Sequence, residues 1–201
     1  MSKRYGLRRP WVVHDADLTL EPGMLVRVVG QNGSGKSTLL RLMAGVIPPT
    51  AGAVRHSPRF DGLTIAFVPQ EGGALPHLTV AENILLATSL SGRRVPSRLT
   101  DRWYVDDLSL GPLLDVRFGE LSGGFKRLAA LCCAMATQPD GMFLDEPLSG
   151  VDAAHTQAVS DGLLAASSNM EFLVLTTHDV SQFDAASRTI NVTNGVPDEC
   201  C

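Results

Sequence analysis

The sequence is short of several things, and each shortage removes a class of protein. No apolar run approaches the ~18 residues of a bilayer-spanning helix; the longest, Leu128 to Ala136, has nine. The N-terminal stretch MSKRYGLRRPW carries charge but no apolar segment of the kind a secretory leader needs. The chain is therefore expected in the cytoplasm, on the cytoplasmic face of a membrane only through a partner. Basic residues are in deficit, 17 Lys and Arg against 21 Asp and Glu. With no basic stripe, and with Arg8-Arg9 and Arg93-Arg94 reading as solvated surface, nucleic acid is not an expected partner. Cysteines number four, in two adjacent pairs, which is neither a disulfide framework nor metal-ligand spacing. Cys132 and Cys133 sit in an apolar run and read as small core residues. Cys200 and Cys201 could accept a lipid but read as a frayed tail. There is no internal repeat, low-complexity tract or coiled-coil arm.

What remains is a globular composition, 201 residues of which 44% are apolar, enough for one substantial core. Val12 to Leu20 alternates Ala16, Leu18 and Leu20 with Asp15, Asp17 and Thr19, the pattern of a half-exposed strand. After the turn Glu21-Pro22-Gly23, Met24 to Val29 is an almost continuous apolar strand. Leu39, Leu40, Leu42 and Met43 share a helical face that Gly45 and Pro48-Pro49 terminate. Further short apolar runs at Leu63–Val68, Met142–Leu144 and Phe172–Leu175 suit a parallel sheet buried on both faces. Helical segments at Gly124–Thr137 and Ala153–Ser168 separate two of them, which is the rhythm of an α/β fold. Residues 76–120, with Leu78, Ala81, Ile84, Leu85 and Leu90 at near-helical spacing, read as a helical insertion.

Three motifs carry chemistry. Gly30-Gln31-Asn32-Gly33-Ser34-Gly35-Lys36-Ser37 lies between an apolar strand and an apolar-faced helix. Its glycines let backbone N–H groups converge on phosphate oxygens. Lys36 can reach the β- and γ-phosphates, and Ser37 can offer its hydroxyl to Mg²⁺. The second motif is Met142-Phe143-Leu144-Asp145-Glu146, a buried strand ending in two carboxylates. Asp145 is placed to hold Mg²⁺ through its water shell, and Glu146 to orient or deprotonate an attacking water. The third is Leu121-Ser122-Gly123-Gly124-Phe125, where a serine and two glycines open an apolar helix and make a second anion-binding helix start. Two phosphate-facing helix starts are hard to assign to one nucleotide in one monomer.

Together these residues resemble the ATP-binding cassette of ABC proteins, over nearly the whole chain. Gly30, Gln31, Asn32, Gly33, Ser34, Gly35, Lys36, Ser37 and Thr38 resemble its Walker A loop. Gln70 resembles the Q-loop glutamine. Ser122, Gly123, Gly124 and Phe125 resemble the signature that contacts the ATP of the opposing cassette. Asp145 and Glu146 resemble the Walker B pair, Asp152 lies in the counterpart of the D-loop, and His178 resembles the switch histidine. Tyr5 looks like the aromatic that stacks on adenine, with Trp11 as the alternative. The resemblance implies a P-loop NTPase core, a mainly parallel sheet flanked by helices, with an N-terminal antiparallel β subdomain. One domain is expected over residues 1–201, with 1–75 and 121–201 as the core and 76–120 as the insertion.

It also implies an ATPase using Mg²⁺, with Glu146, His178, Gln70 and Lys36 catalytic and Ser37, Gln70 and Asp145 around the metal. Two cassettes, identical or not, would sandwich ATP head to tail. With one cassette and no DNA-repair or translation insertion, the chain resembles the separately encoded subunit that powers a transmembrane partner. Gly72 to Leu78 is the candidate docking surface. Three positions depart from the family pattern: Phe125 stands where the signature has glutamine, and Leu128 and Cys133 stand where the family often has arginines. Phe125 is expected to pack against the opposing nucleotide's sugar or against its own helical insertion. Two alternatives follow, a regulatory partner cassette that binds ATP but hydrolyses it poorly, and a soluble non-transport ATPase.

Overall fold

Apolar runs without alternation are strands covered on both sides, and that is how the sheet is built. The computed structural model describes residues 1–55, 58, 61–93, 99, 103–106, 108–179 and 183–200. Among them are six strands: β1 (Met24–Val29), β2 (Ile65–Val68), β3 (Gly141–Asp145), β4 (Phe172–Thr177), β5 (Arg188–Thr193) and β6 (Val196–Cys200). The helices are α1 (Lys36–Met43), α2 (Val80–Leu90), α3 (Trp103–Asp106), α4 (Gly123–Ala136) and α5 (Ala153–Ser167), with 3₁₀ turns at Gly111–Leu113 and Phe118–Glu120. The sheet order is β2-β3-β4-β1-β5-β6. Every pairing is parallel except β5 with β6.

Successive residues of a strand point to opposite faces, and both faces are filled. Met142 and Leu144 of β3 and Leu173 and Leu175 of β4 join one core cluster with α4 and with Val80, Ile84, Tyr104, Val105 and Phe118. Phe143, Phe172, Val174, Val26 and Val28 join the other, packed on Leu39, Leu40 and Leu42 of α1. Residues 76–120 therefore share a core with the sheet rather than owning one. Every residue of α4 from Leu128 to Cys133 is buried, and both cysteines are free thiols inside that core.

Two expectations need correction. Val12–Leu20 keeps its alternation, with Ala16 buried and Asp17 and Thr19 exposed, but it is not a strand. Asp15 sits at φ 56° and interrupts the extended backbone. What forms among the described residues is a pair of isolated antiparallel bridges in the N-terminal layer, Ser2 with Ala51 and Lys3 with Val13. The tail is not frayed through Cys200 either: β6 pairs with β5 across the turn Asn194-Gly195, and Thr189 lies opposite Cys200. Cys201 and Arg94 lie outside the described residues.

The parallel register positions the site. Val29 lies beside Thr177, and Asp145 beside Thr176. The loops that carry residues 30–35, 146–152 and His178 thus leave the sheet at one level, at the carboxyl ends of adjacent strands where open α/β sheets bind ligands.

Candidate active site

The loop after β1 is closed by its own backbone. Gly35 caps α1 at φ 107°, and a Cβ there would stand 2.5 Å from the Val12 carbonyl oxygen. No other residue fits, and the loop is thereby fastened to the N-terminal segment. Lys36, the first residue of α1, is only 5% exposed. Its Nζ donates to the carbonyls of Gly30 (2.8 Å) and Gln31 (3.1 Å), arching over the loop. The first turn of α1 holds no acidic residue, so its positive dipole end is uncompensated. Ser34 Oγ is buried with no hydrogen-bond partner, and Gln31, Asn32 and Gly33 are exposed around it. Such a loop, with exposed backbone and a fixed ammonium, is complementary to a polyphosphate.

Ser37, one residue on, ties this loop to the carboxylates. Its Oγ donates to Asp145 Oδ1 at 2.9 Å, and Thr176 Oγ1 donates to the same oxygen at 2.8 Å. Asp145 is 1% exposed, and its Oδ2 is buried without a hydrogen bond. Ser37 and Asp145 are hard oxygen donors of the kind Mg²⁺ takes, and that ion needs few protein ligands because it keeps its waters. No cluster of three or more His, Cys, Asp or Glu able to hold a metal occurs among the described residues.

Glu146 is the meeting point. It sits at φ 50°, a left-handed conformation that is uncommon for such a residue. Its N–H donates to Thr176 Oγ1 at 2.8 Å, and its carbonyl accepts from Arg127 Nη1 at 2.7 Å. Gln70 Nε2 donates to Glu146 Oε2 at 3.2 Å. Lys36 Nζ lies 3.9 Å from Oε1, and His178 Nδ1 lies 3.9 Å from Oε2. Side chains from α1 and from two separate loops therefore surround one carboxylate. A cleft lined by Glu146, Ser149, Gly150, Thr177 and His178 opens beside it.

Residues 122–125 make different contacts. Ser122 caps α4 and accepts from the Phe125 N–H at 3.5 Å. A Cβ on Gly124 would stand 2.6 Å from the Gly150 carbonyl oxygen, so the helix start is packed directly on the 149–152 loop. The Phe125 ring meets His155 edge-on, centroids 5.7 Å apart and planes at 71°, and packs at the margin of the core cluster that includes Val80, Ile84 and Phe118 of the 76–120 segment. His155 in turn holds Asp152, with Nδ1 at 2.8 Å from each carboxylate oxygen. Tyr5 reaches α1: its hydroxyl lies 3.4 Å from Thr38 Oγ1, and the residue is 53% exposed with Lys3 against its ring. Trp11 carries Arg4 over its ring, 4.7 Å from the centroid.

Sequence reading missed Thr176, Arg127 and His155. Thr176 had a signal, a hydroxyl at the carboxyl end of an otherwise apolar strand. For Arg127 the partners lie in other elements, and only the fold supplies them; His155 has a local partner in Asp152, three residues earlier, while its contact with Phe125 depends on the fold.

The ABC transporter family model matches residues 13–149. The Fe(3+) ions import ATP-binding protein FbpC of Yersinia pestis bv. Antiqua (strain Antiqua) is 36% identical over 183 residues, 85% of this chain and 52% of that protein. The chain thus spans about half the length of that relative. The aliphatic sulfonates import ATP-binding protein SsuB 1 of Xanthomonas axonopodis pv. citri (strain 306) is 37% identical over 203 residues, covering 98% of this chain and 79% of that one. In fold, the chain is similar to the ATP-binding cassette MJ0796 in a dimeric post-hydrolysis state bound to ADP and Pi. The TM-score is 0.83 at 22% identity, over 99% of this chain and 94% of that one. A glycine-rich loop between β1 and α1, a carboxylate pair after β3 and a serine-capped α4 on a cassette fold agree with the sequence match: the chain belongs to the ABC transporter family.

Proposed function

We propose that the chain is the ATP-hydrolysing subunit of an ABC transporter, working as one of two cassettes that close on ATP and drive a separate transmembrane subunit. The observation that carries this reading is the gathering of Lys36, Gln70 and His178 around Glu146, next in the chain to the Asp145 that Ser37 holds. The backbone N–H groups of the 30–35 loop and Lys36 would bind the β- and γ-phosphates. Tyr5 would stack on the adenine. Ser37 and the unpaired Oδ2 of Asp145 would hold Mg²⁺, which supplies positive charge to those phosphate oxygens. Glu146 would take the proton of the attacking water, with Gln70 and His178 fixing the direction of its carboxylate. Ser122, Gly123 and Gly124 are exposed or half-exposed at a helix start, available to the ATP held by a second cassette. The dimeric form of the similar cassette MJ0796 supports that arrangement.

No helix among the described residues is long and apolar enough to cross a membrane, and the proposal assigns the membrane passage to a separate partner. Its docking site is proposed at residues 72–78. Asn83 pins this loop, donating to the Leu75 and Thr79 carbonyls and accepting from the Leu75 N–H, and leaves Leu75 42% exposed. A groove lined by Phe67, Pro69, Gly73, Ala87 and Ala130 runs beside it. The import function in the names of the relatives supports this reading.

The test is Glu146→Gln. The amide keeps the shape and can still accept from Gln70 Nε2, but it cannot take the proton. Turnover should fall by about 10²–10⁴-fold, with ATP affinity by calorimetry unchanged and an ATP-bound dimer accumulating on gel filtration. Turnover near wild type would remove Glu146 from the base role.

A further inference from the structure

Arg127 makes no contact that the phosphate loop or the signature motif requires, yet it is one of the best-bonded side chains near the site. Its guanidinium spans two loops. Nη1 donates to the Glu146 carbonyl and Nη2 to the Gln70 carbonyl, each at 2.7 Å. These are short, charge-assisted bonds. The two residues it grips also meet through their side chains, Gln70 Nε2 to Glu146 Oε2 at 3.2 Å. Arg127 therefore closes a ring of three residues from three elements: the helix that opens with Ser122, the loop after β2 and the end of β3. Its Nε is buried without a hydrogen bond, so the two carbonyl bonds are what hold the head group there.

We infer that Arg127 is a positioning residue, which holds the Glu146 carboxylate and the Gln70 loop in fixed register with the signature helix. The inference rests on Glu146 being the catalytic base. A left-handed non-glycine residue persists only where its surroundings over-determine it. At Glu146, Thr176 fixes the N–H and Arg127 the carbonyl. Releasing the carbonyl frees the peptide to rotate, and with it the direction of the carboxylate. Because α4 carries both Ser122 and Arg127, a shift of the signature helix would be felt at the base directly. The two carbonyls need a planar fork; a lysine ammonium is a single point donor and can serve one of them well.

The experiment compares Arg127→Met, Arg127→Lys and Glu146→Gln in the full chain with Mg²⁺ and ATP. Arg127→Met should lower kcat by roughly 10- to 100-fold, the scale of an ångström of misplacement, with KM for ATP changed less than about 3-fold. Arg127→Lys should lie between Arg127→Met and wild type. In the nucleotide-free chain, amide exchange at residues 70–73 and 148–151 should quicken in Arg127→Met while exchange in β4 stays slow. Wild-type kcat and unchanged exchange in Arg127→Met, with Glu146→Gln inactive, would overturn the role of Arg127 alone. Equal loss of kcat and ATP affinity in both arginine variants would also overturn it, since that marks general damage. Full turnover in Glu146→Gln would overturn the base assignment, and the inference with it.

Discussion

Phe125 shows how one residue can leave a family pattern without leaving the structure. Its ring is half-buried at the margin of the α4 core and meets His155, which holds Asp152. A glutamine there would lose the edge-to-face contact, worth about 0.5–1.5 kcal/mol. Phe125→Gln is therefore expected to lower stability by about 1 kcal/mol, read as a lower urea midpoint at constant slope. ATP turnover should stay within a few-fold of wild type, because the cap at Ser122 and the close packing of Gly124 are untouched. A large gain of turnover would instead favour the reading of a poorly hydrolysing partner cassette. Residues such as Lys36, Ser37, Asp145 and Glu146 were legible because their motifs are local: a loop between a strand and a helix, two acids at a strand end. Arg127 was not, since its partner Gln70 lies 57 residues away. No spacing in the sequence encodes that meeting.

At the scale of elements, the apolar strands and the longer helices were readable from unbroken runs and 3.6-residue periodicity. The errors came from backbone conformation. Asp15 at φ 56° turns an alternating stretch into a tethered linker. Conversely β5 and β6 were overlooked although Asn194-Gly195 is a two-residue hairpin signal, with both residues at positive φ, 49° and 81°. The start of α2 carries a second overlooked signal, Thr79-Val80-Ala81-Glu82. Thr79 Oγ1 accepts from the Glu82 N–H at 3.1 Å, and Glu82 Oε2 accepts from the Thr79 N–H at 2.8 Å, a reciprocal capping box. This cap ends the proposed docking loop and pairs with Arg117 through an isolated bridge. Thr79→Ala should cost about 1 kcal/mol by chemical denaturation. It should also weaken binding of the transmembrane partner more than it changes ATP affinity, since the phosphate loop lies on another element. Loss of ATP affinity with partner binding intact would contradict the placement of the docking surface.

At the scale of the whole molecule, the question is whether the helical layer and the nucleotide end form one cooperative unit. Cys132 and Cys133 give a way to ask. Both lie in α4, 0% and 6% exposed, within a cluster that joins Ile84 and Phe118 to Leu144 and Leu175 of the sheet. Burial pushes the Cys133 thiol up to about 12 from its ordinary 9.0, and burial together with Cys133 raises Cys132 as well. The unfolded chain therefore gives up these protons first. The stability tied to them is full below pH 9 and is lost as pH rises toward 12. Near neutral pH the native thiols are both covered and protonated, and only an opened state alkylates. Labelling of the peptide spanning residues 123–136, followed by mass, then measures opening of the shared core. If that core is one unit with the phosphate loop, Mg·ATP at about 100 times its Kd should slow labelling about 100-fold, equivalent to about 2.7 kcal/mol. In Lys36→Ala, which removes the proposed cationic partner of the β- and γ-phosphates, the same ATP concentration should give no protection. Labelling that ATP fails to slow in the wild type would mean that α2, α3 and α4 open as a layer of their own. Strands β3 and β4, which join both clusters through alternate residues, predict the single cooperative opening.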